Sequence, residues 1–413
     1  MTAALRRENA ELFRDPLGYA RAVEALCADQ YNPPSPRDPE LAYRLCRAVY
    51  GRFITQSGFT SFDSLIEFVE REWLQAPEVF NNLDPLLRDE IQVALFGMRM
   101  IRTPSHPSID ELAQRCERIA HTHGYTPVRM AAGAYLVAHF AWRGAMDRCV
   151  EVLDGLAPTR ELTTDPVVRM MGFALEAFAL RMLGEGQRLR LRVAEALASA
   201  TSVEGAAWDS FLRLQQVMGQ LNQRDLAGAA AGLDRLLDDL DESRTLEAGL
   251  ILYARSWYAA QRGAKAEALA AMRRAHPLLV SSGSWFHQRL SHLVLTQRWL
   301  AVGRLLPAYF HLLRLRSSGL GHYSAYAIFL RRLTQACFWQ QAGIRRLALR
   351  PLREALRLGR RNQFLYLPAL PDTLLAALLE LAENAGIESD YVQILRHQRP
   401  PAGPGPIPDQ LAL

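Results

Sequence analysis

Ten histidines, five cysteines and a single lysine are the groups on which this 413-residue chain could build general-base, nucleophilic or metal chemistry. The stretch CERIAHTHGY sets His121 and His123 near Cys116, a set of residue types that binds metals elsewhere. Both histidines stand at a helix C-terminus just before Gly124, where an imidazolium is favoured without any metal. They are therefore read as end-of-helix charges. His287 and His292 are five apart and do not share a helix face, and no H-E-x-x-H occurs. In SSGLGHYSAY, His322 follows Gly319 and Gly321, which reads as a loop. No G-x-S-x-G is present, and the carboxylates of LLDDLDESR fall at a helix end where solvent meets them. Cys27, Cys46, Cys116, Cys149 and Cys337 are scattered and form no C-x-x-C pair, as expected of reduced, buried thiols in the cytoplasm. Lys265 lies in RGAKAE and not in G-x-x-x-x-G-K-[ST], so a Walker-type phosphate loop is missing. The expectation is a protein that is not an enzyme, with no catalytic residue, no metal site and no cofactor.

What remains is surface and scaffold. Apolar residues make up 49% of the chain and charged residues 22%, a globular composition. The opening MTAALRRENAELF lacks the apolar core of a secretory signal, and no apolar run approaches the roughly 18 residues of a membrane span. A net charge of +5 is a weak electrostatic footprint for nucleic acid. One basic feature is concentrated. Arg346, Arg350, Arg353, Arg357 and Arg361 are spaced 4, 3, 4 and 4 apart, which places them on one face of a helix. Such a face is a solvated exterior, a dock for an acidic partner or a set of phosphate contacts. Pro351 should kink or shorten that helix.

The elements that would carry these surfaces announce themselves by repetition. A turn marker recurs at Gly144, Gly184, Arg224, Gly263, Gly303 and Gly343, with successive separations of 40, 40, 39, 40 and 40 residues. Five residues after each marker stand Cys149, Leu189, Ala229, Ala268, Ala308 and Ala348. Twelve after stand Leu156, Ala196, Leu236, Ala275, Leu315 and Ala355. The two positions are seven apart, hence two turns along one helical face. Mostly small residues at the first of them let a second helix approach the one before the marker. The glycine supplies the positive φ that ends that first helix. Each unit is therefore helix–turn–helix, and a period of this size signals stacked units. Pro104 lies 40 before Gly144 in a less regular unit, and Gly58 marks a longer one.

The small-x6-small spacing resembles tetratricopeptide repeats lengthened to about 40 residues, as in MalT-like arrays. GFTSFDSLIEFVEREW, LDPLLRDEIQVALFGMRMIRTPSHPSIDELAQRCERIA and the ending PLREALRLGRRNQFLYLP…AGIESDYVQILRHQRP are similar to the helical region of bacterial STAND-type signalling ATPases and transcriptional regulators, over roughly residues 40–400. In such proteins the array follows a nucleotide-binding module, and no phosphate loop occurs in this sequence, so ATPase activity is not expected to carry over. The resemblance implies an all-α, right-handed α-solenoid of tetratricopeptide-like helix–turn–helix repeats. The expected organisation is a leader helix and linker (1–40), atypical repeats (41–128), regular repeats (129–365), capping helices (366–398) and a disordered tail (399–413).

The same resemblance implies an inner face. Transferring its register gives Phe178, Arg181, Phe211, Leu214, Met218, Tyr253 and Trp257 as concave-surface residues. Arg181 is the one charge among thirty inner positions of six units. An inner face this apolar suits an amphipathic helix or an apolar small ligand, unless the superhelix closes on itself. The functional expectation is a cytoplasmic, non-enzymatic scaffold for protein interaction or ligand sensing, in bacterial signalling or transcriptional regulation. The alternative is a regulator that touches nucleic acid through the arginine helix.

Overall fold

The computed structural model describes residues 14–28, 38–122, 126–163, 166–199, 208–316 and 324–398. His123, Gly124, the Gly319–Gly321–His322 stretch, the first part of the leader, most of the linker and the 399–413 tail lie outside them. Twenty α-helices and one π-helical turn make up the described chain, with no strand among these residues. The first part comprises α1 (Pro16–Ala28), α2 (Pro39–Thr55), α3 (Phe62–Val69), the π turn Glu70–Leu74, α4 (Pro77–Asn81), α5 (Pro85–Arg102) and α6 (Ile109–Thr122). The regular units follow as α7 (Thr126–Arg143) and α8 (Met146–Leu162), α9 (Pro166–Leu183) and α10 (Gly186–Ser199), then α11 (Asp209–Gln223) and α12 (Leu226–Asp238). They continue as α13 (Thr245–Gln261) and α14 (Lys265–Ser281), α15 (Trp285–Ala301) and α16 (Leu305–Arg316), then α17 (Ala325–Gln341) and α18 (Arg345–Asn362). Two helices close the chain, α19 (Asp372–Asn384) and α20 (Ser389–Gln398).

All six markers end their helix in the left-handed conformation, with φ from 64° at Arg224 to 86° at Gly144. In every unit the amide one residue past the marker donates to the carbonyl four residues before it, from Ala145 N to Phe140 O through to Ile344 N to Trp339 O, at 2.8–3.0 Å. This is the 6→1 bond of a Schellman cap, which satisfies a carbonyl that a helix end would otherwise leave open. The residues five and twelve past the markers are all buried. Two units show how close the helices come. Ser256 Oγ donates to Ala268 O at 2.7 Å, and Cys149 Sγ to Val137 O at 3.4 Å, the same pair of repeat positions each time. All five cysteines are buried free thiols, and burial pushes those of Cys27, Cys149 and Cys337 up to about 12. Helix α18 runs unbroken through Pro351, against the expectation of a shortened helix. The proline ring is buried, so its packing offsets the one backbone bond it removes.

Two features shape the interior, the first expected only as an alternative and the second not expected. The array curls back, so that early loops bond to late ones. Phe59 N donates to Ser282 O at 2.6 Å, Leu246 N to Gln56 O at 3.0 Å, and Thr245 Oγ1 to Ser57 O at 3.0 Å. Arg102 Nη1 reaches Gly283 O at 2.6 Å and Trp285 Nε1 reaches Met100 O at 2.7 Å, while Ser324 Oγ donates to Trp142 O. In addition, residues 364–371 leave helical structure and run through the inside of the curl, across the expected 365/366 boundary between repeats and cap. A buried irregular segment must find partners for its backbone. Here Tyr391 Oη donates to Phe364 O at 2.5 Å, Tyr326 Oη to Tyr366 O at 2.9 Å and Arg298 Nη2 to Ala369 O at 2.9 Å, while Leu367 N donates to Asn222 Oδ1 at 3.3 Å.

Candidate functional site

The curl leaves a central, partly enclosed cavity of about 160 Å³. Its wall is built by residues from both ends of the array. Helix α7 contributes Ala131, Ala134, Ala138 and Trp142, small residues that hollow the wall and one large ring that closes it. Phe178, Phe211 and Met218 come from α9 and α11, and Tyr253 from α13. Phe286 of α15 stacks on Trp142 with ring centroids 5.2 Å apart and planes 13° from parallel, and Tyr326 stacks on Phe286 at 6.3 Å.

Five of the seven residues expected on the concave face line this cavity: Phe178, Arg181, Phe211, Met218 and Tyr253. Leu214 and Trp257 do not. Both are fully buried in the core, and Trp257 is covered by Tyr366, with ring centroids 5.9 Å apart. The inner segment that supplies Tyr366 thus hides a surface that an open solenoid would expose. Tyr50, Phe53, Phe286, His287, Tyr326, Tyr366 and Pro368 also line the cavity. The transferred register misses them because they belong to other turns of the array, brought opposite by the curl. A tally of aromatic residues near Phe286 and Phe364 would have been the one signal available in the sequence.

Against this apolar wall stands one polar corner. Arg181 donates through Nε to Gln215 Oε1 at 2.6 Å, and its guanidinium lies 5.1 Å from the Phe178 ring centre and 4.7 Å from that of Tyr366. The two rings and the amide fix its direction. Among the described residues no carboxylate pairs with it. Tyr253 is fully buried on the cavity wall, and its hydroxyl has no hydrogen-bond partner among the described residues. Burial, followed by the neighbouring Tyr366 and Tyr326, holds that phenol well above its usual range. His287 pairs through Nδ1 with Ser284 Oγ at 2.7 Å. Burial, then the charge of Arg181, lowers it to about 3, so it is neutral at physiological pH. A fixed cation inside an aromatic chamber can orient one acidic group on an otherwise apolar molecule, whereas the Tyr253 hydroxyl is buried behind the wall.

The arginines Arg346, Arg350, Arg353, Arg357 and Arg361 are all exposed along α18. Arg350 leans on Glu354 at 3.2 Å and Arg357 approaches the half-buried Glu388 at 3.7 Å, and with both arginines exposed such pairs contribute little. His121 is exposed at the end of α6, whereas Cys116 is buried with its thiol pushed up by burial, then by Asp89 and Glu117. No helix among the described residues is long and apolar enough to cross a membrane.

A scan against protein-family models and a search of curated proteins each returned no match. Among solved structures, the APC/C hetero-tetramer Cut9–Hcn1 is similar at 12% identity and a TM-score of 0.42, over 92% of this chain and 80% of that one.

Proposed function

We propose that this helical-repeat protein is a non-catalytic ligand sensor whose central cavity takes an apolar molecule carrying one anionic group. Arg181, a guanidinium in the aromatic wall that meets no carboxylate among the described residues, supports this reading most strongly. Burying a guanidinium without a counter-charge is unfavourable, and a ligand carboxylate would relieve that cost with a charge-assisted bond. A cavity on the order of 150 Å³ holds a benzene-sized molecule, so the occupant is a compact aryl or short-chain acid rather than a peptide helix. Residues 364–371 occupy the space such a helix would need. The resemblance to STAND-type regulators supports a place in bacterial signalling or transcriptional control, where a ligand-dependent change in the curl would be relayed to a protein partner.

The test compares aryl carboxylates with their methyl esters by thermal shift. The acids should raise the melting temperature of wild type more than the esters, and Arg181→Met should erase that difference while leaving the unliganded protein folded. Equal shifts for acid and ester in both proteins would overturn the reading.

The exposed arginine face of α18 supports a second reading, docking of an acidic protein partner. Replacing Arg350, Arg353 and Arg357 by Glu should then abolish partner capture with helical content intact. A salt-dependent gel shift lost in the same variant would assign the face to nucleic acid instead.

A further inference from the structure

Three consecutive helices of the regular array each bring one imidazole to a common point. His276 lies on α14, His292 on α15 and His311 on α16, 16 and 19 residues apart in sequence. One ring nitrogen from each falls within 4.8 Å of those of the other two. The ring centroids are 4.7 Å apart for His276 and His292, 5.3 Å for His292 and His311, and 5.6 Å for His276 and His311. Nδ1 of His292 and Nδ1 of His311 are 3.0 Å apart. Three nitrogens bound tetrahedrally at 2.0–2.1 Å to one ion sit about 3.3 Å from each other. Small side-chain rotations separate the present geometry from that one.

A hydrogen bond outside the trio orients the first ring. The Ser291 hydroxyl has one proton, and it donates that proton to Gln288 O at 2.6 Å. At 2.9 Å from His276 Nδ1 the same oxygen therefore accepts from Nδ1–H. The lone pair of His276 is then on Nε2. Metal-bound histidines are held in this way, with the nitrogen that does not ligate donating to a fixed acceptor.

We propose that His276, His292 and His311 form a three-imidazole site for a divalent cation of the Zn²⁺ type, with a fourth position open toward solvent. All three rings are half-buried, so an ion can enter and one coordination position stays accessible. No carboxylate belongs to the cluster, which disfavours Ca²⁺ and Mg²⁺, cations that require oxygen ligands. Burial lowers all three rings, His292 and His311 to about 4, so they present the unprotonated form that ligates. Arg289 of α15 and Arg314 of α16 also face the cluster and lower its proton affinity. The same charges oppose a cation, so the imidazole bonds themselves must carry the affinity. None of the three histidines lines the central cavity, so the proposal stands apart from the sensor reading.

The test is calorimetric titration of untagged, metal-free protein with ZnCl₂ at neutral pH. One equivalent should bind, unaffected by excess Mg²⁺. Co²⁺ in its place should give the visible absorption of a low-coordinate nitrogen site. His292→Gln and His311→Gln, which keep the volume and polarity of the ring, should each weaken Zn²⁺ at least 100-fold with circular dichroism unchanged. Ser291→Ala should weaken it about 10-fold at the same stoichiometry. His397→Ala, on the exposed end of α20, should change nothing. Absence of Zn²⁺ binding by wild type, or one-equivalent binding retained by the His292→Gln/His311→Gln double variant, would overturn the proposal.

Discussion

Single side chains in this protein divide into those that hold the array together and those left unpaired inside it. His139 belongs to the first group. It is fully buried between Phe96 and Phe140, and burial, then Arg143, lowers it to about 3. His287 is lowered as far, by burial and then by Arg181. An unfolded histidine titrates near 6.5, so below that pH the unfolded chain binds protons that the folded one refuses. The folded pKa is depressed, and its stabilising effect is therefore complete above about pH 6.5 and lost as pH falls toward 3. Chemical denaturation between pH 7 and pH 4 should show a loss of several kcal/mol, and His139→Gln should flatten that slope. Arg181, bonded to Gln215 but facing no carboxylate among the described residues, belongs to the second group, and its place on the inner face was legible in the sequence as the one charge there. Tyr253 was legible as a lining residue but not as an unpaired hydroxyl. Hydrogen bonding depends on which turns of the array come opposite each other, and local spacing does not encode that. The histidine trio was invisible for a related reason. Its members occupy different repeat positions on three helices, and no short motif joins them.

At the scale of the helix pair the sequence was far more informative. The 40-residue recurrence located the six Schellman turns of the regular units, including the one where Arg224 stands in place of glycine, but not those at Gln363 and Gly386. Each of those turns depends on two residues and a backbone angle, all local. The markers nevertheless differ in what surrounds them. A Cβ at Gly263, φ 79°, would meet nothing within 4 Å, so Gly263→Ala isolates the cost of the left-handed conformation. That cost should be about 1–2 kcal/mol. A Cβ at Gly144 would come within 2.5 Å of Phe364 Cζ and 3.1 Å of Tyr326 N. Gly144→Ala should therefore destabilise considerably more than Gly263→Ala in parallel urea titrations. Comparable losses would mean that residues 364–371 do not pack against the α7–α8 turn. Pro351 marks the limit of local reasoning at this scale, because burial of its ring in α18 outweighs a helix-breaking preference.

The whole molecule is where sequence reasoning and structure part. The stacking of helix pairs was readable, but the curl was weighed only as an alternative to an open groove. Closure rests on single bonds between residues some 185 positions apart, such as Trp285 Nε1 to Met100 O, and on an irregular segment running inside. Neither leaves a periodic trace. Yet closure changes the chemistry on offer, since it turns a concave face into a chamber and leaves Arg181 facing a small volume instead of bulk solvent. The most direct measurement is anomalous diffraction from a crystal of the protein soaked with a bromo-aryl carboxylate. One bromine peak is expected inside the chamber, among Trp142, Phe178 and Phe286, with carboxylate density against Arg181. A chamber filled only with water, or bromine found solely on the outer surface, would contradict it.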